Sequence, residues 1–220
     1  MARKPATKTA KAAPSGAKSA RTRERILDAA AAVLSRKGYA GTRLTDVAEQ
    51  AEIQAPAIYY YYPSREDLIE EVMYVGIARL LEHIEKALAD APEDLSPMGR
   101  IEAAVEAQLR FELTVSDYAT AAIRNASQVP DELRTRYNAE SEKYAEVWRR
   151  LLKDAQAEGE IREDLDPTLA RLLVLGALNW TNEWWNPKRG SIDAVVKNAQ
   201  SIVRHGLSPA EPVKKPARKR

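Results

Sequence analysis

Cysteine is absent from the 220 residues, which excludes disulfides and thiolate metal sites. Histidine occurs only twice, at His83 and His205. Two lone histidines on helical segments read as surface or core residues, so no metal site is expected. No apolar run approaches the roughly 20 residues of a membrane span. The N-terminus is charged but has no apolar core, so it does not read as a secretory signal. The expectation is a cytoplasmic protein without a membrane partner. There is no glycine-rich phosphate loop and no histidine–carboxylate pair at useful spacing. Ser15-x-x-Lys18 copies a nucleophile spacing, but it lies in a stretch with nothing to build a pocket. Asn125-Ala126-Ser127 copies a glycosylation site in a chain that nothing exports. No catalytic residue and no cofactor are expected, and the chain does not read as an enzyme.

What is present is helix and uneven charge. The net charge of +2 hides an asymmetry. Residues 1–23 carry seven Lys/Arg and no acid, and residues 208–220 carry five Lys/Arg and one Glu, so the ends hold +11 and the middle −9. Both ends are rich in Ala, Pro and Lys, with almost no large apolar side chain to bury, and residues 1–20 and 207–220 are expected to be disordered basic tails. Such tails attract DNA without sequence preference by neutralising phosphates, or merely solvate the chain.

Between the tails, apolar residues recur at helical spacing and no alternating strand pattern competes. About nine helices are expected, making an all-α fold. The first covers about residues 21–37, with Gly38 as its stop. The fourth covers 64–90, the fifth 98–115, the sixth 117–128 and the seventh about 130–158. The eighth runs over 166–185 and the ninth over 191–205. Helix eight is apolar nearly all round, from Leu169 to Leu178, so it needs partners on two faces. Helix nine carries a stripe of Ile192, Val195, Val196, Ala199, Ile202 and Val203.

Residues 40–68 are the most informative stretch. Leu44, Val47, Ala48 and Ala51 form one apolar stripe of a short second helix. Glu52-Ile53-Gln54 is a turn. A third helix of about two turns begins near Ala55, with Pro56 in its first turn, where a missing N–H costs nothing, and Pro63 stops it. Ser64-x-x-Asp67 is a capping-box-like start for the next helix. Two short helices and a tight turn make a helix-turn-helix, whose second helix fits the DNA major groove. On a helical wheel Ile58, Tyr61 and Tyr62 point to the core, whereas Ala57, Tyr59 and Tyr60 face the groove. The Ala57 methyl can touch a thymine methyl, and Gln54 can pair with adenine. Arg43, at the start of the second helix, is the nearby arginine that can reach a base.

Thr42-x-x-x-x-Val47-Ala48, followed by Ala57-Ile58-Tyr59-x-Tyr61-Tyr62-Pro63-Ser64-Arg65-Glu66-Asp67-Leu68, resembles the DNA-binding signature of the TetR family of transcriptional repressors. The resemblance covers about residues 22–69. It departs from the usual pattern at Glu52, where a turn glycine is usual, at Pro56, and at Tyr62, where phenylalanine is usual. It implies that Thr42, Tyr59 and Arg65 hold phosphates. It also implies residues 21–66 as DNA-binding domain and 67–206 as ligand-binding and dimerisation domain, with a homodimer through helices eight and nine. A ligand held among helices four to eight would pivot helix four and change the spacing of the two recognition helices.

Trp148 lies on helix seven; Trp180 and Trp184 are i, i+4 on helix eight beside Asn179. Aromatic walls with few polar groups describe a small-molecule pocket, for which Phe111, Trp148, Asn179, Trp180 and Trp184 are the candidates; plain packing of the core or of the dimer seam explains the tryptophans equally. The run around Trp180–Trp185, followed by Asn186-Pro187, resembles TetR members that respond to fatty acyl or steroid-derived acyl thioesters of coenzyme A. The partners expected are thus a double-stranded DNA operator, a small hydrophobic or acyl-coenzyme A effector, and a second copy of the chain. The competing reading is a non-specific nucleoid-associated protein, since the third helix lacks the usual base-reading Arg and Asn.

Overall fold

The computed structural model describes residues 15–114 and 117–209. The expected tails therefore lie outside the described residues, except at 15–20, which form the start of a helix, and at 207–209. Among the described residues the fold is all-helical, with ten α-helices and two short 3-10 turns. These are α1 (Ser15–Gly41), α2 (Leu44–Gln50), α3 (Ala55–Ile58), α4 (Arg65–Ala89), α5 (Pro97–Thr114), α6 (Asp117–Asn125), α7 (Thr135–Ala157), α8 (Pro167–Asn179), α9 (Thr181–Trp184) and α10 (Ile192–Leu207).

Local chemistry sets most of the boundaries. Gly38 takes φ 71 and kinks the end of α1, a left-handed conformation that glycine adopts without steric cost. The Ser64 hydroxyl accepts the Asp67 N–H at 3.0 Å and so caps α4. Asp166 and Ser191 cap α8 and α10 in the same way. Two elements differ from expectation. The third helix is a single α-turn, and its chain continues to Tyr62 as hydrogen-bonded turns, because Pro63 disfavours helical geometry at the residue before it. The eighth helix is interrupted at Trp180, with φ −71 and ψ −12, which separates α9 from α8 and raises the count from nine to ten.

Two apolar cores share the molecule. One joins α1, α2 and α3 to Leu68, Ile69, Val72 and Met73 of α4 and to the inner face of α6. The other joins Ile77, Leu80, Leu81 and Ile84 of α4 to α5, α7, α8 and α10. Helix α4 thus passes from the first core into the second, and α6 packs on both α1 and α4.

The α4–α6 crossing is close. A Cβ added at Gly76 would lie 2.5 Å from the Tyr118 carbonyl oxygen and 2.9 Å from the Ala122 Cβ. The first obstacle is backbone, so the helices themselves must separate. Gly76→Ala should destabilise the protein by about 1–3 kcal/mol, seen as a lowered denaturation midpoint. An unchanged midpoint would show that the crossing is loose.

Candidate DNA-binding face and effector site

Helices α2 and α3 pack through Val47, Ala48, Ala51, Ile58 and Tyr62, all buried. The opposite side of α3 is open. Tyr59 is 57% and Tyr60 83% exposed, and Ala57, Gln54 and Arg43 are exposed beside them. The tyrosine run therefore divides as the helical wheel requires, with Tyr61 part-buried and edge-on to Tyr60 at 5.1 Å. The first-turn Pro56 and the Gln54 backbone in the extended region fix the entry to α3.

Thr42 and Arg65, expected at phosphates, are placed differently. Thr42 is buried, and its hydroxyl donates to the Gly38 carbonyl at 2.7 Å. Arg65 donates from Nε to the Thr42 carbonyl at 2.7 Å and from Nη2 to the Tyr39 carbonyl, pairs with Glu66, and lies over the Tyr39 ring at 4.6 Å. Both side chains meet backbone carbonyls of the segment from Gly38 to Thr42, where α1 kinks and ends. The geometry makes them braces that seat the N-termini of α2 and α4.

Two departures from the family pattern have physical consequences. Glu52 takes φ 53 in the helix-turn-helix turn, a conformation costing a non-glycine residue about 1 kcal/mol or more. The hydroxyl of Tyr62 is buried without a hydrogen-bond partner, and burial pushes its pKa up to about 12.

Helix α6 ties this unit to the rest of the molecule. Ser35 donates to Asp117 at 2.8 Å and Tyr118 donates to Asp28 at 2.7 Å. The fully buried Asn125 accepts the Tyr39 N–H at 2.7 Å, just beyond the Gly38 kink. Arg124 reaches both the Ser35 carbonyl at 2.9 Å and Glu183 on α9 at 2.7 Å. Hydrogen bonds thus run from α9 and α6 to α1.

The five effector candidates do not converge. Phe111 and Trp148 are buried in the larger core, and Phe111 faces His83 at 5.4 Å. Asn179 faces inward to Gln108. Trp180 and Trp184 point outward, at 65% and 40% exposure. They line an apolar groove of ≈ 500 Å³ between α8–α9 and α10, with Leu178, Val195, Ile202 and Val203. Leu169, Leu172 and Leu173 extend the same exposed face. The reason lies in the spacing. Positions 169, 173, 177, 180 and 184 form one helical stripe, so the two tryptophans continue the leucine face and not the interior one.

The interior face instead holds a polar cluster that aromatic patterning overlooks. The Tyr144 hydroxyl donates to Gln108 Oε1 at 2.8 Å, and Gln108 Nε2 donates to Glu112 Oε1 and to Asn179 Oδ1, both at 2.9 Å. Asn182 Nδ2 lies 3.4 Å from the other Glu112 oxygen. Burial raises the Glu112 pKa to about 8, against the opposing hydrogen bond from Gln108. The signal was available in the sequence, since Gln108 and Glu112 stand i, i+4 on the core stripe of α5 among Ala104, Val105, Leu109 and Phe111.

Comparison with known proteins agrees with this architecture. Residues 26–72 match the family described as bacterial regulatory proteins, tetR family, and residues 94–207 match the tetracyclin repressor-like C-terminal domain. The fatty acid metabolism regulator protein of Bacillus subtilis (strain 168) is 28% identical over 189 residues, covering 83% of this chain and 93% of its own length. The transcriptional repressor KstR2 of Rhodococcus jostii (strain RHA1) is 26% identical over 191 residues, covering 84% of this chain and 91% of its own. The crystal structure of AibR in complex with isovaleryl coenzyme A and operator DNA superposes with a TM-score of 0.75 at 21% identity, covering 83% of this chain and 97% of AibR.

Proposed function

The chain belongs to the TetR family, whose members are transcriptional regulators and not enzymes, and from this premise we propose that it is a repressor that binds a palindromic operator as a homodimer and is released by a small hydrophobic or acyl-coenzyme A effector. The observation that carries the reading is the outward presentation of Tyr59 and Tyr60 on a helix-turn-helix whose other face, Val47, Ala48, Ala51, Ile58 and Tyr62, is buried. Tyr59 binds phosphate through its hydroxyl, which positions the helix without reading sequence. Gln54, Arg43, Ala57 and Tyr60 supply the base contacts. Thr42 and Arg65 support the docking from behind.

The dimer forms through the exposed face of α8 and α10, since exposed apolar patches of this kind mark interfaces. Effector binding in the larger core moves α6 and α4 through the Arg124, Asn125 and Asp117 bonds and alters the spacing of the two recognition helices. That spacing must fit about one turn of DNA. The effector class is supported by AibR, crystallised with isovaleryl coenzyme A, and by the fatty-acid and ketosteroid regulators among the relatives. No helix among the described residues is long and apolar enough to cross a membrane; the proposed operator binding itself puts the site of action at the nucleoid.

On an operator selected from random duplexes, Tyr59→Phe should weaken binding about equally across operator variants, with no change in thermal stability. Gln54→Ala should relax preference at one position by about 1–3 kcal/mol. Arg65→Ala should weaken binding and also lower thermal stability. Unchanged operator affinity in both Tyr59→Phe and Gln54→Ala would remove α3 from the interface. The rival reading, a non-specific nucleoid protein, is favoured by the absence of Arg and Asn from α3; it requires that selection return no consensus.

A further inference from the structure

The cluster around Gln108 links four buried or half-buried polar side chains and keeps donors in reserve. Gln108 spends its oxygen on Tyr144 and its amide hydrogens on Glu112 and Asn179. Asn179 takes that bond on its oxygen, which leaves its amide nitrogen as a donor. Glu112 accepts from Gln108 on one oxygen and from Asn182 on the other and, uncharged at neutral pH because burial raises its pKa to about 8, adds an O–H. The fully buried Trp148 lies beside Tyr144, and its indole N–H has no partner in hydrogen-bonding geometry. The Trp148 N–H is thus a buried donor left unmet, at a cost of about 1–3 kcal/mol, and with the Asn179 amide and the Glu112 hydroxyl in the same cluster the arrangement suits an incoming acceptor.

That acceptor is uncharged. Neither the cluster nor the described lining of the cleft beside Glu112 includes Lys or Arg. Arg110 is paired with Glu106 and Asp193, and Arg124 with Glu183. A carboxylate placed there would be a buried anion without a counter-ion. The cluster is also reachable. A polar cleft of ≈ 370 Å³ meets it at Glu112 and Asn182, and a second cleft, of ≈ 490 Å³, meets it at Asn179 and Trp180; Arg124 lines that second cleft with its charge already paired to Glu183.

We propose that Gln108, Glu112, Tyr144 and Asn179, with Trp148 beside them, form the subsite that binds the carbonyl of an acyl ester, thioester or ketone effector and rejects the free acid. This rests on the acyl-effector reading above and names the group that is recognised. It also places Glu112 and Asn182 where a bound carbonyl pulls on α9, and hence on Arg124 and α1.

The test uses the full chain and two probes with one alkyl chain, S-decanoyl-N-acetylcysteamine and decanoate, titrated by tryptophan fluorescence. The thioester should bind at least about tenfold more tightly, a difference of about 1.4 kcal/mol. Glu112→Leu should bring the two within about threefold, whereas Glu112→Gln, which keeps a donor, should retain the preference. Raising the pH from 7 to 9 should weaken thioester binding in the wild type and not in Glu112→Gln, a readout that a packing role would not move. The groups facing Glu112 from other helices are Tyr144 of α7, Asp117 of α6 across the cleft, and the non-titrating Asn179 and Asn182. Burial keeps Tyr144 protonated well above its usual range. If wild-type protein binds acid and thioester alike, or folded Glu112→Leu keeps the preference, the subsite is overturned and the acyl reading stands. If neither probe nor its four- and sixteen-carbon counterparts bind, the acyl reading falls and the subsite with it.

Discussion

Leu173→Glu and Ile202→Glu should each convert the dimer to a monomer and reduce operator affinity by orders of magnitude, while leaving the fold intact. Both side chains are exposed in the single chain, at 75% and 72%, so the charge is harmless until a second copy covers it. Dimerisation would bury an unpaired carboxylate against its symmetry mate, at a cost of several kcal/mol per dimer. An operator with two half-sites needs both recognition helices held together, so a monomer with an intact helix-turn-helix still loses specific binding. Val196, on the same helix, is a different case. It is buried within the chain, and Val196→Glu would report on folding instead of assembly. Sedimentation with gel shift separates the outcomes, and a folded dimer of Leu173→Glu would place the interface elsewhere.

Glu112→Gln should flatten the pH dependence of stability. The Glu112 carboxyl is raised from its ordinary 4.5 to about 8 in the folded protein. A raised folded pKa contributes stability that is fully present below about 4.5, erodes as pH rises, and is gone above about 8. The span corresponds to roughly 2–5 kcal/mol. Wild-type protein should therefore lose stability between pH 5 and 9, and the amide variant should lose much less and be the more stable of the two at pH 9. Thermal unfolding across that range decides it. Parallel curves would mean that Glu112 is ionised or solvated in the folded chain.

Much of the fold was legible because local signals agree with one another. The Gly38 stop, the Ser64 cap and the 58–61–62 against 57–59–60 division of the tyrosine helix each follow from spacing and backbone chemistry alone. The same logic, carried past Asn179, would have placed Trp180 and Trp184 on the stripe of Leu169 and Leu173. Residue type drew attention to the tryptophans as pocket walls, whereas their position decided their face. Arg65 and Thr42 show a different limit. The resemblance implies them as phosphate ligands, whereas the bonds they make to the Gly38, Thr42 and Tyr39 carbonyls follow from the α1 kink, which no sequence spacing displays. The Gln108–Glu112 cluster joins α5 to α7 and α8 across 36 and 71 positions, and no local pattern brings such partners together. Only the interruption of the apolar stripe of α5 by two polar residues marked the place.

The most direct test of the central claim is a selection of duplexes from a random pool by the full-length protein, repeated with decanoyl-coenzyme A in the binding step. A palindromic consensus with half-sites about one helical turn apart is expected, together with a loss of retained duplex when the thioester is present. Retention of duplexes without a consensus, unaffected by the thioester, would contradict it and leave a non-specific DNA-binding protein.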